Sequence, residues 1–147
     1  MLLGAGKDLK IVRLAGGVAA GTDGSRQNLT AIDRAGYAGV AIVALIGTVT
    51  STGVFTLRAK NYDDSGTPGS GTINDVGSAV GVTSDKLVIM DIIEPTKRYV
   101  RADYQRTVAN VVIHAIFAIL YNGDVKPVAL DAGDVLTELL GPTPSAT

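Results

Sequence analysis

Between Lys86 and Tyr121 the chain reads K-LVIMDII-EPTK-RYVRADYQR-TVAN-VVIHAIFAILY, three extended apolar runs parted by two breaks of four residues. The runs are rich in Val, Ile and Tyr, and the breaks hold Pro, Thr, Lys and Asn. Such breaks are too short for crossover helices, so the pattern is strand, turn, strand, turn, strand. It is expected to form an antiparallel meander covered by a second sheet built from the rest of the chain.

At 147 residues the chain is long enough for one domain, burying about 70% of its unfolded surface. Eighteen glycines, few aromatics and many short Val/Ile/Thr runs point to an all-β class. The net charge of −1, with acids and bases interleaved, gives no footprint for nucleic acid or for an anionic membrane. The absence of cysteine excludes disulfides and thiolate metal sites. The start, MLLGAGKDLK, lacks a basic and then apolar secretory pattern, and the run from Val108 to Tyr121 is too short to span a bilayer. A soluble protein made in cytoplasm is the expectation.

Residues 1–9 read as an arm in which Leu2 and Leu3 need an outside surface to pack on. From Lys10, Val12, Leu14 and Val18 alternate inward, with a bend at Gly16 and Gly17. Residues 27–33 alternate weakly. Tyr37 to Val49 is apolar at both parities. Val54 to Tyr62 gives the cleanest period of two, with Phe55, Leu57 and Ala59 on one side and Thr56, Arg58 and Lys60 on the other. Residues 63–72 are a polar loop, 73–85 an irregular edge strand, and Asn122-Gly123 a turn. Asp131 can cap a short helix whose stripe is Val135, Leu136, Leu139 and Leu140, ending at Gly141. The whole reads as an antiparallel two-sheet β-sandwich of jelly-roll type over residues 10–130, with an N-terminal arm at 1–9 and a C-terminal helix or tail at 131–147.

Catalytic and metal chemistry find little support. His114 is the single histidine, set in the most apolar run, and is expected to be a hydrogen-bonded core or interface residue. Residues 61–66 place oxygen ligands before a glycine, but the twelfth position is Thr72 where a calcium loop needs a bidentate Glu. The only glutamates are Glu94 beside a proline and Glu138 in the tail. No cofactor and no catalytic residue is expected. Lys97, Arg98, Arg101 and Arg106 read as a solvated sheet face.

Two-sided apolarity in 37–49 and 111–121 is unusual, since an antiparallel sandwich normally turns one face to water. Either loops of the same chain cover the second face or a neighbouring subunit does.

Gly36-Tyr37-Ala38-Gly39-Val40, the strand ending Ile46-Gly47-Thr48-Val49-Thr50, Gly53-Val54-Phe55-Thr56-Leu57 with its following Asp-rich loop, the block Pro95–Arg101 and the step Lys126-Pro127 together resemble a family of small structural proteins of tailed bacteriophages. The resemblance covers roughly residues 25–130. It implies a non-enzymatic virion component on the capsid surface, most simply a decoration (cement) protein. Its partners would be the major capsid protein and copies of itself as a homotrimer, with no nucleic acid and no membrane. Leu2, Leu3, Tyr99, Arg101, Val135, Leu136, Leu139 and Leu140 are the expected contact residues. A neck or tail component and a carbohydrate-binding sandwich module are the alternatives. The module would need an exposed aromatic platform, for which the chain has five tyrosines, two phenylalanines and no tryptophan.

Overall fold

A computed structural model describes residues 9–62, 74–93, 95 and 97–123, with the side chains of 74–79 left aside. Within them are ten strands: β1 (Lys10–Ala15), β2 (Val18–Gly21), β3 (Gln27–Asn28), β4 (Ile32–Asp33), β5 (Tyr37–Val49), β6 (Val54–Tyr62), β7 (Asn74–Gly81), β8 (Leu87–Ile93), β9 (Tyr99–Thr107) and β10 (Val111–Gly123). Every pairing is antiparallel. The first sheet, A, runs β1-β10-β5-β8, with β2 also on β10. The second, B, runs β3-β9-β6-β7, with β4 also on β9.

β1 and β2 act as one broken strand, as do β3 and β4. Eight positions then remain, and the chain alternates between the sheets except at the β6–β7 hairpin, so that each sheet mixes early and late strands. That order is the double Greek key of a jelly roll.

The three late strands lie where the sequence places them, but they do not form a meander. β8 and β10 belong to sheet A and β9 to sheet B. Breaks of five residues (94–98) and three residues (108–110) part these strands; connections this short can close a hairpin or cross the roughly 10 Å between packed sheets, and here they cross. Asn122 and Gly123 do not turn the chain back: β10 continues through them, with Gly123 opposite Tyr37.

The core fills by simple alternation. β6 sends in Phe55, Leu57 and Ala59, β9 Val100, Ala102 and Tyr104, and β8 Val88, Met90 and Ile92. β5 contributes Val40, Ile42, Ala44 and Ile46. Along β10 the register shifts on either side of Ile113, so the inward parity changes from Val111 and Ile113 to Ile116, Ala118 and Leu120. That bulge explains part of the apparent two-sided apolarity of the run, since one parity cannot serve both halves. Phe55, fully buried, stacks on Tyr104 with ring centroids 5.9 Å apart.

Arginines close the two ends. Arg106 sits buried between sheets, donating to both carboxylate oxygens of Asp23 at 2.8–2.9 Å and to the carbonyls of Ala19 and Val111. At the other end Arg34 donates to the carbonyls of Tyr37, Pro95 and Lys97. The expected solvated basic face is therefore only partly right: Arg98 pairs with exposed Asp33, while Arg106 is a buried structural ion.

Candidate interaction surface

The two outward faces of the sandwich differ in kind. On sheet B, cross-strand partners facing out are Arg58 with Asp103, Lys60 with Arg101, Thr56 with Gln105 and Tyr62 with Tyr99. Asp103 is clasped by Arg26 and Arg58. This face is polar and internally paired except at its β7 edge, where Val80, beside Thr56, is 61% exposed.

The outward face of sheet A is apolar across four strands. Ladder partners define its rows: Arg13, Phe117, Val43 and Ile89; then Ile11, Ile119, Ala41 and Asp91; then Ala115, Leu45 and Leu87. Leu87 (57%), Ile89 (55%) and Ile93 (73%) are more than half exposed, a costly place for large aliphatics in a lone subunit. β8 alone alternates exposed Leu, Ile, Asp and Ile against buried Val, Met and Ile.

Two glycines shape this face. A Cβ on Gly39 would lie 2.1 Å from the Tyr121 ring, so the missing side chain lets Tyr121 cross β5. Its hydroxyl then donates to Asp91 on β8 at 2.6 Å. Burial, the carboxylate beside it and that hydrogen bond push the phenol up to about 12. At the far end the His114 ring lies over Gly47, whose Cβ would come within 2.7 Å of Nε2. His114 is thus an exposed residue of this outer face, not a core one.

The expected contact residues divide. Leu2, Leu3, Val135, Leu136, Leu139 and Leu140 lie outside the described residues, as do the 63–72 loop and the 131–140 helix. Tyr99 and Arg101 are described, but on the polar sheet. Tyr99 stacks on Tyr62 at 6.0 Å under Arg98, and Arg101 donates to the carbonyl of Leu29 at 2.7 Å. Both hold the fold together, and neither joins the apolar face. The residues that compose that face were visible as odd positions of 37–49 and 87–93, but without the bulge in β10 they could not be separated from the core.

A groove of about 360 Å³ between β1 and β4 is lined by Lys10, Val12, Arg13, Thr30, Ile32 and Asp33. Among the described residues no three His, Cys, Asp or Glu side chains gather as metal ligands, and no helix is long and apolar enough to cross a membrane.

No family model matches the chain, and no curated protein matches it. Among solved structures, the Eiger TNF of S. frugiperda overlaps it with a TM-score of 0.48 and 7% identity, covering 90% of this chain and 99% of that one. The overlap is too loose to bear on function, and the jelly-roll assignment rests on strand order alone.

Proposed function

We propose that this protein is a non-enzymatic structural subunit that associates with copies of itself, and that it serves as a decoration (cement) protein on the head of a tailed bacteriophage. The single observation carrying the self-association is the apolar outward face of sheet A beside a polar outward face on sheet B. Such an asymmetry suits a subunit with one side turned to a neighbour and the other to water. The virion role rests on the resemblance of residues 25–130, with the major capsid protein as second partner and a homotrimer as the assembled form.

The mechanism is adhesive. Burying aliphatic side chains such as Leu87, Ile89 and Ile93 across subunit junctions releases water at about 25 cal/mol per Å². Much of that gain is offset by the loss of freedom on association, so a large area must be covered. A stable contact of this kind needs roughly 1,600 Å² in total, which the three exposed aliphatic residues of β8 cannot supply without the neighbouring rows on β5, β10 and β1.

Adding the full chain to heads that lack it tests the virion role. Saturable binding and a higher temperature of head rupture are expected. Self-association with no binding to heads would leave an assembling protein and remove the capsid reading.

A further inference from the structure

Four strand edges bound the described sheets, and three carry features that resist pairing with another chain. β1 has Lys10 and Arg13 and loses register between Arg13 and Ala15. One edge of sheet B is divided between the two-residue strands β3 and β4. The other, β7, contains two glycines and shifts register against β6 between Ala59 and Lys60.

β8 has none of these devices. Its seven residues contain no Lys, Arg, Pro or Gly. It runs in unbroken register with β5 from Leu87 to Ile93, and among the described residues it is bonded on that side only.

We infer that the open edge of β8 pairs antiparallel with β8 of a second copy, joining two A sheets across a twofold axis. This names a contact between two copies and rests on the reading that the chain associates with itself; being twofold, it lies outside a threefold ring and joins two such rings or two single copies. Pairing of seven residues is a small contact by itself. It also makes the two apolar outward faces continuous, a wider surface for further copies to cover.

The register follows from hydrogen bonding and charge. The Ile46 amide donates to the Lys86 carbonyl at 2.9 Å, and antiparallel ladder bonds fall on alternate residues. Val88, Met90 and Ile92 therefore turn their backbone groups toward β5, while Leu87, Ile89, Asp91 and Ile93 turn theirs to the open edge. Two copies centred on Met90 set Leu87 against Ile93 and Ile89 against Asp91, so all four outward residues are bonded. Centring on Asp91 would oppose two carboxylates, and centring on Ile89 would leave Ile93 unbonded. In the Met90 register the strand's one charge faces an aliphatic side chain while Tyr121 holds it from behind.

Cysteine cross-linking reads that register directly, because the natural chain has no cysteine. Leu87→Cys and Ile93→Cys are prepared as separate full-length proteins and oxidised alone and mixed. In the proposed pairing Leu87 lies about 5.5 Å from Ile93 of the other copy, Cα to Cα, within disulfide reach. It lies about 20 Å from the other copy's Leu87. The mixture should give a covalent dimer and neither variant alone should. No dimer in the mixture overturns the pairing, and so does a dimer from Leu87→Cys alone. A dimer appearing only once residues 124–147 are deleted would assign the edge to the chain's own tail, and also overturns it. Sedimentation of the natural chain separates the two levels: an oligomer without cross-links removes the edge pairing only, whereas a 15.1 kDa monomer removes self-association as well.

Discussion

Arg106 and Asp23 show how much a single buried pair can weigh. Arg106 is buried and makes charge-assisted bonds to both carboxylate oxygens, so Asp23→Ala would leave an uncompensated buried cation. A loss of about 3 kcal/mol is expected, readable as a lower urea midpoint at unchanged slope. Asp33 and Arg98 have similar distances but are half exposed, and Asp33→Ala should cost under about 1 kcal/mol. The Arg106 hydrogen bonds hold the Asp23 carboxyl below its ordinary value of 3.8, outweighing the opposing effect of burial. The sign follows: this stabilisation is complete above pH 3.8 and is lost as pH falls through the lower folded value. Acid unfolding of Asp23→Ala should accordingly show a shallower dependence on pH below 4 than the natural chain. Val108 presents the opposite case, a strained residue that contributes little. It is exposed and β-branched, with φ of 71° in the turn between β9 and β10. Val108→Gly should raise stability by about 1 kcal/mol in the same urea titration, because the left-handed backbone penalises a branched Cβ.

At the scale of elements, the outward face of sheet A depends on β5 carrying glycine where its neighbours carry rings. Gly39→Val would drive the Tyr121 ring off β5 and break its bond to Asp91. Fluorescence titration of Tyr121 should then show its pKa fall from about 12 toward the ordinary tyrosine value. Tyr121→Phe should lose the bond yet keep the ring seated, leaving thermal stability within about 1 kcal/mol. The sequence made much of this architecture legible. Strict alternation in Val54–Tyr62 named the inward residues of β6 correctly, and Gly16-Gly17 marked the break between β1 and β2. What alternation cannot say is which strand lies next door. The run of β9 shows which residues share a face, but a short break fits a hairpin and a sheet crossing equally. The bulge around Ile113 was hidden for a related reason. In a run where nearly every residue is apolar, a change of parity leaves no polar marker, so the sequence leaves His114 as a core or an interface residue, and it stands on the outer face. Tyr99 and Arg101 were expected contacts through the resemblance, but their partners, Tyr62 on β6 and Leu29 between β3 and β4, are distant in sequence and local spacing does not reveal them.

The whole molecule is a sandwich with one water-facing side and one apolar side, and its proposed role follows from that imbalance. Covering the apolar side with a second copy should be breakable without harm to the fold, because Ile11 and Ile89 face outward from sheet A and lie outside the core cluster. The most direct measurement is sedimentation equilibrium of the full chain beside an Ile11→Glu, Ile89→Glu variant, at concentrations up to about a hundred micromolar. Burial of the face against other copies requires the natural chain to sediment at a multiple of 15.1 kDa, threefold for a homotrimer. The variant should sediment at 15.1 kDa with its far-ultraviolet circular dichroism unchanged. A natural chain that stays at 15.1 kDa throughout that range, or a variant that still assembles fully, would contradict it.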